Sequence, residues 1–426
     1  MILAERETIE PAVGLSRRAD SLRFLLYSHD GLGLGHTRRH LAVAQALAAL
    51  APDSSVLLAT GAEVVSHLGL APQIDILKLP GLRKVSNEQY VSRRLRISVP
   101  EIRALRSALL SATVREYHPT VVLVDKHPFG AKGEFREGLE ELRAGGGRAV
   151  LGLRDILDEP ANVLKEWSAH RMRERIAEFY DLVLVYGERS VFDPVFEYQF
   201  PPSLADRSRF SGYVLNLDEA DTGEPSGVFR RPRPGGARPT VLATAGGGED
   251  GFFLLRTFIG AAAGASWEGI AVAGPMSPGT QLKTLQRMAL QAGVTLHTYV
   301  PNLSHLFHSI DALVCMGGYN TLVEATSRGV PTVCVPRTFP RCEQLIRARA
   351  FERLGLLSLV EPQGLNSGTL RRAIQSVMTT SREELRRRVR ATLNFDGARR
   401  AARHILALCG RRAAAVPARR QAAWNP

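Results

Sequence analysis

Short, near-continuous apolar runs alternate along this chain with longer stretches of helical period. In the first half the runs are residues 22–28, 55–59, 74–79, 121–125, 149–153 and 182–186, with helical patterns near 37–50, 100–117 and 161–179. In the second half the runs are 240–244, 269–273, 295–300, 312–315 and 332–335, with a helix over about 252–263. Strands that are apolar on both faces and separated by helices predict parallel sheets covered on both sides, the α/β class.

Between the two sets, residues 218–236 are rich in Pro, Gly and charge and read as a linker. The pattern predicts an extension over 1–20, a first Rossmann-like domain over 21–214, a linker over 215–238 and a second Rossmann-like domain over 239–380. A helical segment over 381–410 is expected to pack back across both domains, and 411–426 to form a disordered basic tail. The length of 426 residues agrees with two domains of roughly 200 residues each. Two doubly wound domains leave a cleft between their strand ends, where ligands of such sheets bind.

Candidate chemistry sits where strands empty into glycines. The stretch from Val314 and Cys315 through Met316, Gly317, Gly318, Tyr319, Asn320 and Thr321 to Glu324 is a strand, a glycine turn and a helix start with a carboxylate on the second turn. Glycines let the backbone approach phosphate, the helix start favours negative charge, and Glu324 is placed to take the hydroxyls of a ribose. Gly246, Gly247 and Gly248 follow another strand and offer backbone N–H groups to a diphosphate or form a plain tight turn. Arg337 is a candidate phosphate partner, and Glu343 and Gln344 are candidate partners of sugar hydroxyls or a helix-capping pair. This pattern is that of a nucleotide-sugar site.

In the first half, Gly31, Gly33 and Gly35 lead into His36. The spacing departs from the dinucleotide fingerprint, which wants a glycine where His36 stands. At a helix start the dipole disfavours the protonated ring, so His36 is either a general base or a capping residue. Asp125, Lys126 and His127 end a buried strand, and Arg154 and Asp155 end another. Each is a candidate for acceptor contact or proton transfer, with a salt bridge or turn as the alternative for Arg154 and Asp155.

Composition narrows the compartment and the partners. Lys and Arg number 55 against 42 Asp and Glu, a net charge of +13 that suits anionic ligands, a phospholipid surface or nucleic acid. The basic tracts lack interleaved aromatics and any reading motif, so no specific nucleic acid is expected. Cys315, Cys334, Cys342 and Cys409 show no CxxC spacing, which argues for a reducing compartment and against a zinc site. With neither a signal peptide nor a membrane span in the pattern, a cytoplasmic protein is expected, with peripheral contact at the inner face of an anionic membrane left open.

On these residues the chain resembles GT-B glycosyltransferases, most of all glycosyltransferase family 28. The likeness covers most of the chain and is strongest over 299–356 and 31–41. The resemblance implies that Gly35 and His36 match the family's N-terminal Gly-rich loop. It places the donor base against backbone at Tyr299 and Val300, the ribose on Glu324, and the sugar on the segment from Pro340 to Glu343 and Gln344. It implies inverting, metal-independent transfer of a hexose-type sugar from a nucleotide-sugar donor, UDP first, with no cofactor and with His36 or a nearby group as base. The acceptor, whether glycan, lipid-linked or small molecule, is left open. The segment from Asp125 to Phe129 stands where the peptidoglycan enzyme of the family has a second glycine-rich loop. A nucleotide-sugar hydrolase of the same fold and, more distantly, a nucleic-acid-binding protein are the competing expectations.

Overall fold

The structure, a computed structural model, describes residues 21–29, 34–62, 70–86, 89–215 and 238–410. The first half holds β1 (Arg23–Ser28), β2 (Ser55–Thr60), β3 (Ile74–Lys78), β4 (Leu82–Ser86), β5 (Gln89–Ser92), β6 (Val121–Asp125), β7 (Arg148–Arg154), β8 (Leu182–Tyr186) and β9 (Ser208–Phe210). The second holds β10 (Thr240–Thr244), β11 (Glu268–Val272), β12 (Thr295–His297), β13 (Ala312–Cys315), β14 (Thr332–Cys334) and β15 (Ser358–Leu359). Two sheets result, ordered β3-β2-β1-β6-β7-β8-β9 and β12-β11-β10-β13-β14-β15, while β4 and β5 form a separate antiparallel hairpin.

Every pairing within the two large sheets is parallel. The central strands are apolar on both faces because helices cover both. All five residues of β6 and of β8 are buried. Strand order reverses between β1 and β6 in the first sheet and between β10 and β13 in the second. Such reversals open a crevice beyond the carboxyl ends of the strands, which is where doubly wound sheets bind ligands. The loops after β6, β10 and β13 carry Lys126 and His127, Gly246 to Gly248, and Gly317 and Gly318.

Several element boundaries differ from expectation. The helix expected from about Thr37 begins at Leu34, Leu34–Leu50, so Gly35 and His36 belong to its first turn. The helix expected over 161–179 is two, Pro160–Ala169 and Met172–Phe179, broken where Arg171 adopts left-handed backbone with φ 48°. The strand expected over 295–300 stops at His297, leaving Tyr299 and Val300 in a loop. The basic C-terminal stretch also divides, into Arg382–Thr392 and Gly397–Gly410.

These last two helices straddle the molecule. Arg382 Nη2 donates to the carbonyl of Phe307 at 2.7 Å, and Arg386 Nε to that of Arg328 at 3.1 Å, both in the second half. Gly397–Gly410 packs instead on Leu34–Leu50, and an isolated antiparallel bridge joins Val214 to Asp396. The halves share one continuous apolar cluster, with Tyr213, Tyr319, Leu322, Phe351 and Ile405 among its members. No helix among the described residues is long and apolar enough to cross a membrane.

Candidate functional site

At the second sheet's switch point, β13 passes through Met316 and Gly317 into the helix Tyr319–Ser327, whose N-cap is Gly318. No side chain caps this helix, so its leading N–H groups, at Tyr319, Asn320 and Thr321, carry the unsatisfied positive end of the dipole. Gly317 has φ +80°, and a Cβ there would stand 2.8 Å from Cys334 Sγ, so the turn admits only glycine without displacement. Glu324 lies on the same helix and is 9% exposed.

Two further segments close on this turn. The loop after β14 brings Arg337, whose backbone N–H donates to Gln344 Oε1 at 3.1 Å. Its guanidinium donates to Glu343 Oε1 at 2.6 Å and to Asp250 Oδ2 at 2.8 Å, bridging the loops after β10 and β14. Burial favours neutral Arg337, but the Glu343 and Asp250 charges and hydrogen bonds outweigh it and hold the guanidinium protonated. Arg337 Nε and Glu343 Oε2 are buried with no hydrogen-bond partner among the described residues. The Arg337–Glu343 pair thus packs one guanidinium arm and one carboxylate oxygen into the wall of the turn.

The glycine loop after β10 is a poorer cradle than its sequence implies. Gly246 N–H donates to Thr244 Oγ1 at 3.2 Å and Gly248 N–H to the carbonyl of Ala245 at 3.3 Å, so both are engaged inside the loop. The Gly247 carbonyl accepts from Met276 N–H at 2.8 Å, tying the loop to the one after β11. This leaves the Tyr319–Ser327 helix start as the stronger anion site. Tyr299, 53% exposed, and Val300, half-buried, lie in the loop beyond β12.

At the first sheet's switch point, Gly31 and Gly33 lie outside the described residues, and Gly35 and His36 fall in the first turn of the helix Leu34–Leu50. Asp125 is fully buried, and Arg39 Nη1 donates to its two oxygens at 3.3 and 3.1 Å. A carboxylate spent in this way positions Arg39 and is closed to substrate, which argues against Asp125 as the base. The Arg39 guanidinium lies 5.1 Å from the Tyr186 ring centroid and 4.9 Å from that of Tyr319. His127 stands edge-on to His29 with centroids 4.5 Å apart. Burial first, and then the charge of Lys126, pull the His29 pKa to about 3, so its imidazole is neutral near pH 7.

The crevices meet across a junction that sequence reasoning left as a list of alternatives. Asp155, at the end of β7, receives Arg347 Nε and Nη2 at 2.7 Å each, while Arg347 Nη1 donates to the Gly317 carbonyl at 2.9 Å. Asp158 Oδ1 accepts from Cys342 N–H at 2.8 Å, and the Tyr319 hydroxyl accepts from Val214 N–H at 3.2 Å. Arg38 reaches Asn302 Oδ1 at 3.1 Å. Of the open alternatives for Arg154 and Asp155, the salt bridge is the one found at Asp155. Arg39, Arg347 and Tyr319 carry no motif of their own. Their only sequence signal is a polar residue beside a glycine turn or on an otherwise apolar helix face.

Known proteins share the family pattern and the fold. Residues 274–404 match the glycosyltransferase family 28 C-terminal domain. The chain is 26% identical over 273 residues to the NDP-glycosyltransferase YjiC of Bacillus subtilis strain 168, covering 60% of this chain and 62% of that protein, just under two thirds of the relative's length. It is 23% identical over 363 residues to the UDP-N-acetylglucosamine–N-acetylmuramyl-(pentapeptide) pyrophosphoryl-undecaprenol N-acetylglucosamine transferase of Pectobacterium carotovorum strain PC1, covering 83% of this chain and 86% of that one. Among solved structures, the calicheamicin glycosyltransferase CalG4 superposes with a TM-score of 0.60 at 20% identity, over 93% of this chain and 100% of CalG4. The expected family 28 likeness and GT-B architecture are both met.

Proposed function

With residues 274–404 forming a glycosyltransferase family 28 C-terminal domain on a GT-B fold, we propose that this chain transfers a hexose-type sugar from a nucleotide-sugar donor to an acceptor hydroxyl. The observation that carries the reading is the uncapped helix start behind the glycine turn at the second switch point. Gln344 packs against the Gly317 turn and also accepts the Arg337 N–H at 3.1 Å, which brings Arg337 and Glu343 to the same edge. A relative named for UDP-N-acetylglucosamine supports a uridine nucleotide as the first choice of donor.

In this reading the N–H groups opening Tyr319–Ser327 meet the diphosphate. That position counts most as the glycosidic bond breaks and charge grows on the leaving nucleotide, since preorganised donors stabilise charge that develops in the transition state. Glu324 holds the ribose hydroxyls, Glu343 and Gln344 orient the sugar, and the loop with Tyr299 and Val300 receives the base. Arg347 acts on the turn through the Gly317 carbonyl and is a positioning residue. His36, in the first turn of its helix, is the proposed base for the acceptor hydroxyl, with single-step inversion at the sugar carbon and no metal.

The test is nucleoside diphosphate release from a panel of nucleotide sugars, with and without pooled hydroxyl acceptors. Release that requires both one nucleotide sugar and an acceptor supports transfer. Acceptor-independent release with free sugar would make the chain a hydrolase, and no turnover of any donor would remove the catalytic reading.

A further inference from the structure

A cavity of about 630 Å³ lies in the first half, away from the donor loops, and its walls are cationic. Arg103 comes from the helix Val99–Tyr117, Lys132 from the turn Ala131–Gly133, Arg136 from the start of Arg136–Ala144 and Arg175 from Met172–Phe179. Glu166 is the one carboxylate on the lining, and His127 also lines the cavity. The size lies within the range of small-molecule pockets.

One of the four cations is held over a ring, and three of them make no ion pair among the described residues. Arg175 is stacked on Phe129, its guanidinium 4.3 Å from the ring centroid, and makes no ion pair among the described residues. Arg103 and Lys132 likewise have no carboxylate at ion-pair distance among the described residues, while Arg136 shares an exposed pair with Glu140 at 3.0 Å. The turn carrying Lys132 is fixed from beneath. Buried Arg106 donates two 2.6 Å hydrogen bonds to buried Glu134, which also accepts from the Tyr27 hydroxyl, and Gly130, at φ +73°, has no room for a Cβ beside that hydroxyl. With Arg136 paired to Glu140 and one carboxylate, Glu166, on the lining, the concavity keeps a positive excess that an anion would offset, and its shape focuses that field.

The cavity also reaches the reacting edge. His127 stands edge-on to His29, which follows the last residue of β1 directly. We propose that this cavity is an acceptor subsite that recognises a phosphate-type anion on the acceptor, seated so that a neighbouring hydroxyl points to the crevice beyond β1 and β6. This assignment rests on the transfer reading for its role, and its binding chemistry is tested independently of it.

The experiment is calorimetric titration of inorganic phosphate and glycerol 3-phosphate into the full chain, Arg103→Ala, Arg175→Gln and Glu324→Ala, each also titrated with UDP. Expected is saturable phosphate binding, weakened about tenfold or more in Arg103→Ala and Arg175→Gln by loss of a charged hydrogen-bond donor, and unchanged in Glu324→Ala. Should Arg175→Gln melt early, exposed Arg103 decides alone. Sedimentation with phosphatidylcholine vesicles, with and without phosphatidic acid, separates the sources of the anion. Arg103-dependent recruitment by phosphatidic acid assigns a lipid-borne phosphate, and glycerol 3-phosphate binding without recruitment assigns a soluble one. Absence of saturable phosphate binding, or phosphate binding as tight as wild type in both arginine variants, would overturn the subsite. Phosphate binding without UDP binding would leave the subsite and remove the donor reading.

Discussion

Arg347 and Asp155 stand on opposite halves of the chain and meet in a buried two-point ion pair, both hydrogen bonds 2.7 Å long and both side chains at most 1% exposed. The third arm of the same guanidinium holds the carbonyl of Gly317, in the turn assigned to the donor diphosphate. One side chain therefore sets the register between the halves and the shape of the donor turn. Burial alone would favour a neutral group, but the Asp155 charge overrides it and keeps Arg347 protonated.

Removing one partner of a buried ion pair strands the other charge, at a cost of about 3–5 kcal/mol. Arg347→Met and Asp155→Leu are each expected to lower unfolding free energy by that order. The double variant is expected to lie closer to wild type than the sum of the singles. A double-mutant cycle by urea denaturation checks this, and strict additivity would mean the pair is not coupled.

Glu343 is argued to contact the sugar and not the nucleotide. Glu343→Gln is expected to raise KM for the nucleotide sugar about tenfold while leaving the Kd for free UDP unchanged, since an amide donor replaces one carboxylate oxygen and the charge is lost. Parallel initial-rate and calorimetric measurements distinguish the two constants. A matching loss of UDP affinity would place Glu343 on the nucleotide.

Gly317 and Gly318 are expected to behave differently despite adjoining. Gly317→Ala puts a Cβ at positive φ and 2.8 Å from Cys334 Sγ, whereas a Cβ at Gly318 meets nothing within 4 Å. Thermal melts are expected to show a loss of about 1–3 kcal/mol for Gly317→Ala and less than about 0.5 kcal/mol for Gly318→Ala.

His40 is 2% exposed, with neither ring nitrogen hydrogen-bonded among the described residues. Burial first, with the Arg39 charge adding and Asp125 opposing, lowers its pKa from 6.5 to about 4. The unfolded chain takes up this proton near pH 6.5 and the native chain only near 4, so protons favour unfolding between those values. The contribution is intact above about pH 6.5 and falls as pH drops toward about 4, at roughly 1.4 kcal/mol per unit. Urea melts across that window are expected to show a shallower acid decline in His40→Leu by about one proton's slope. An unchanged slope would mean that His40 protonates normally in the native state.

Periodicity sufficed for both central sheets, because strands buried on two faces leave an unmistakable apolar run, as at Val121 to Asp125. It missed β9 and β15, which are short edge strands with little apolar content, and it joined helices that break at Arg171 and at residues 393–396. The glycine turn at Gly317 and Gly318, with Glu343 and Gln344, was legible because its chemistry is local in sequence. Asp125 was legible as a polar strand end but not in its pairing, since Arg39 reaches it only through the fold. The 192-residue separation between Asp155 and Arg347 explains why no spacing rule could join them.

The measurement that bears most directly on the central claim is calorimetric titration of UDP into the wild-type chain and Glu324→Ala, each verified as folded by thermal melting. Saturable binding to wild type, weakened at least about tenfold in a variant that melts as a folded protein, is the expected result. A folded Glu324→Ala that binds UDP as tightly as wild type, or a wild type that binds none of UDP, GDP, dTDP and CMP, would contradict the nucleotide-sugar site.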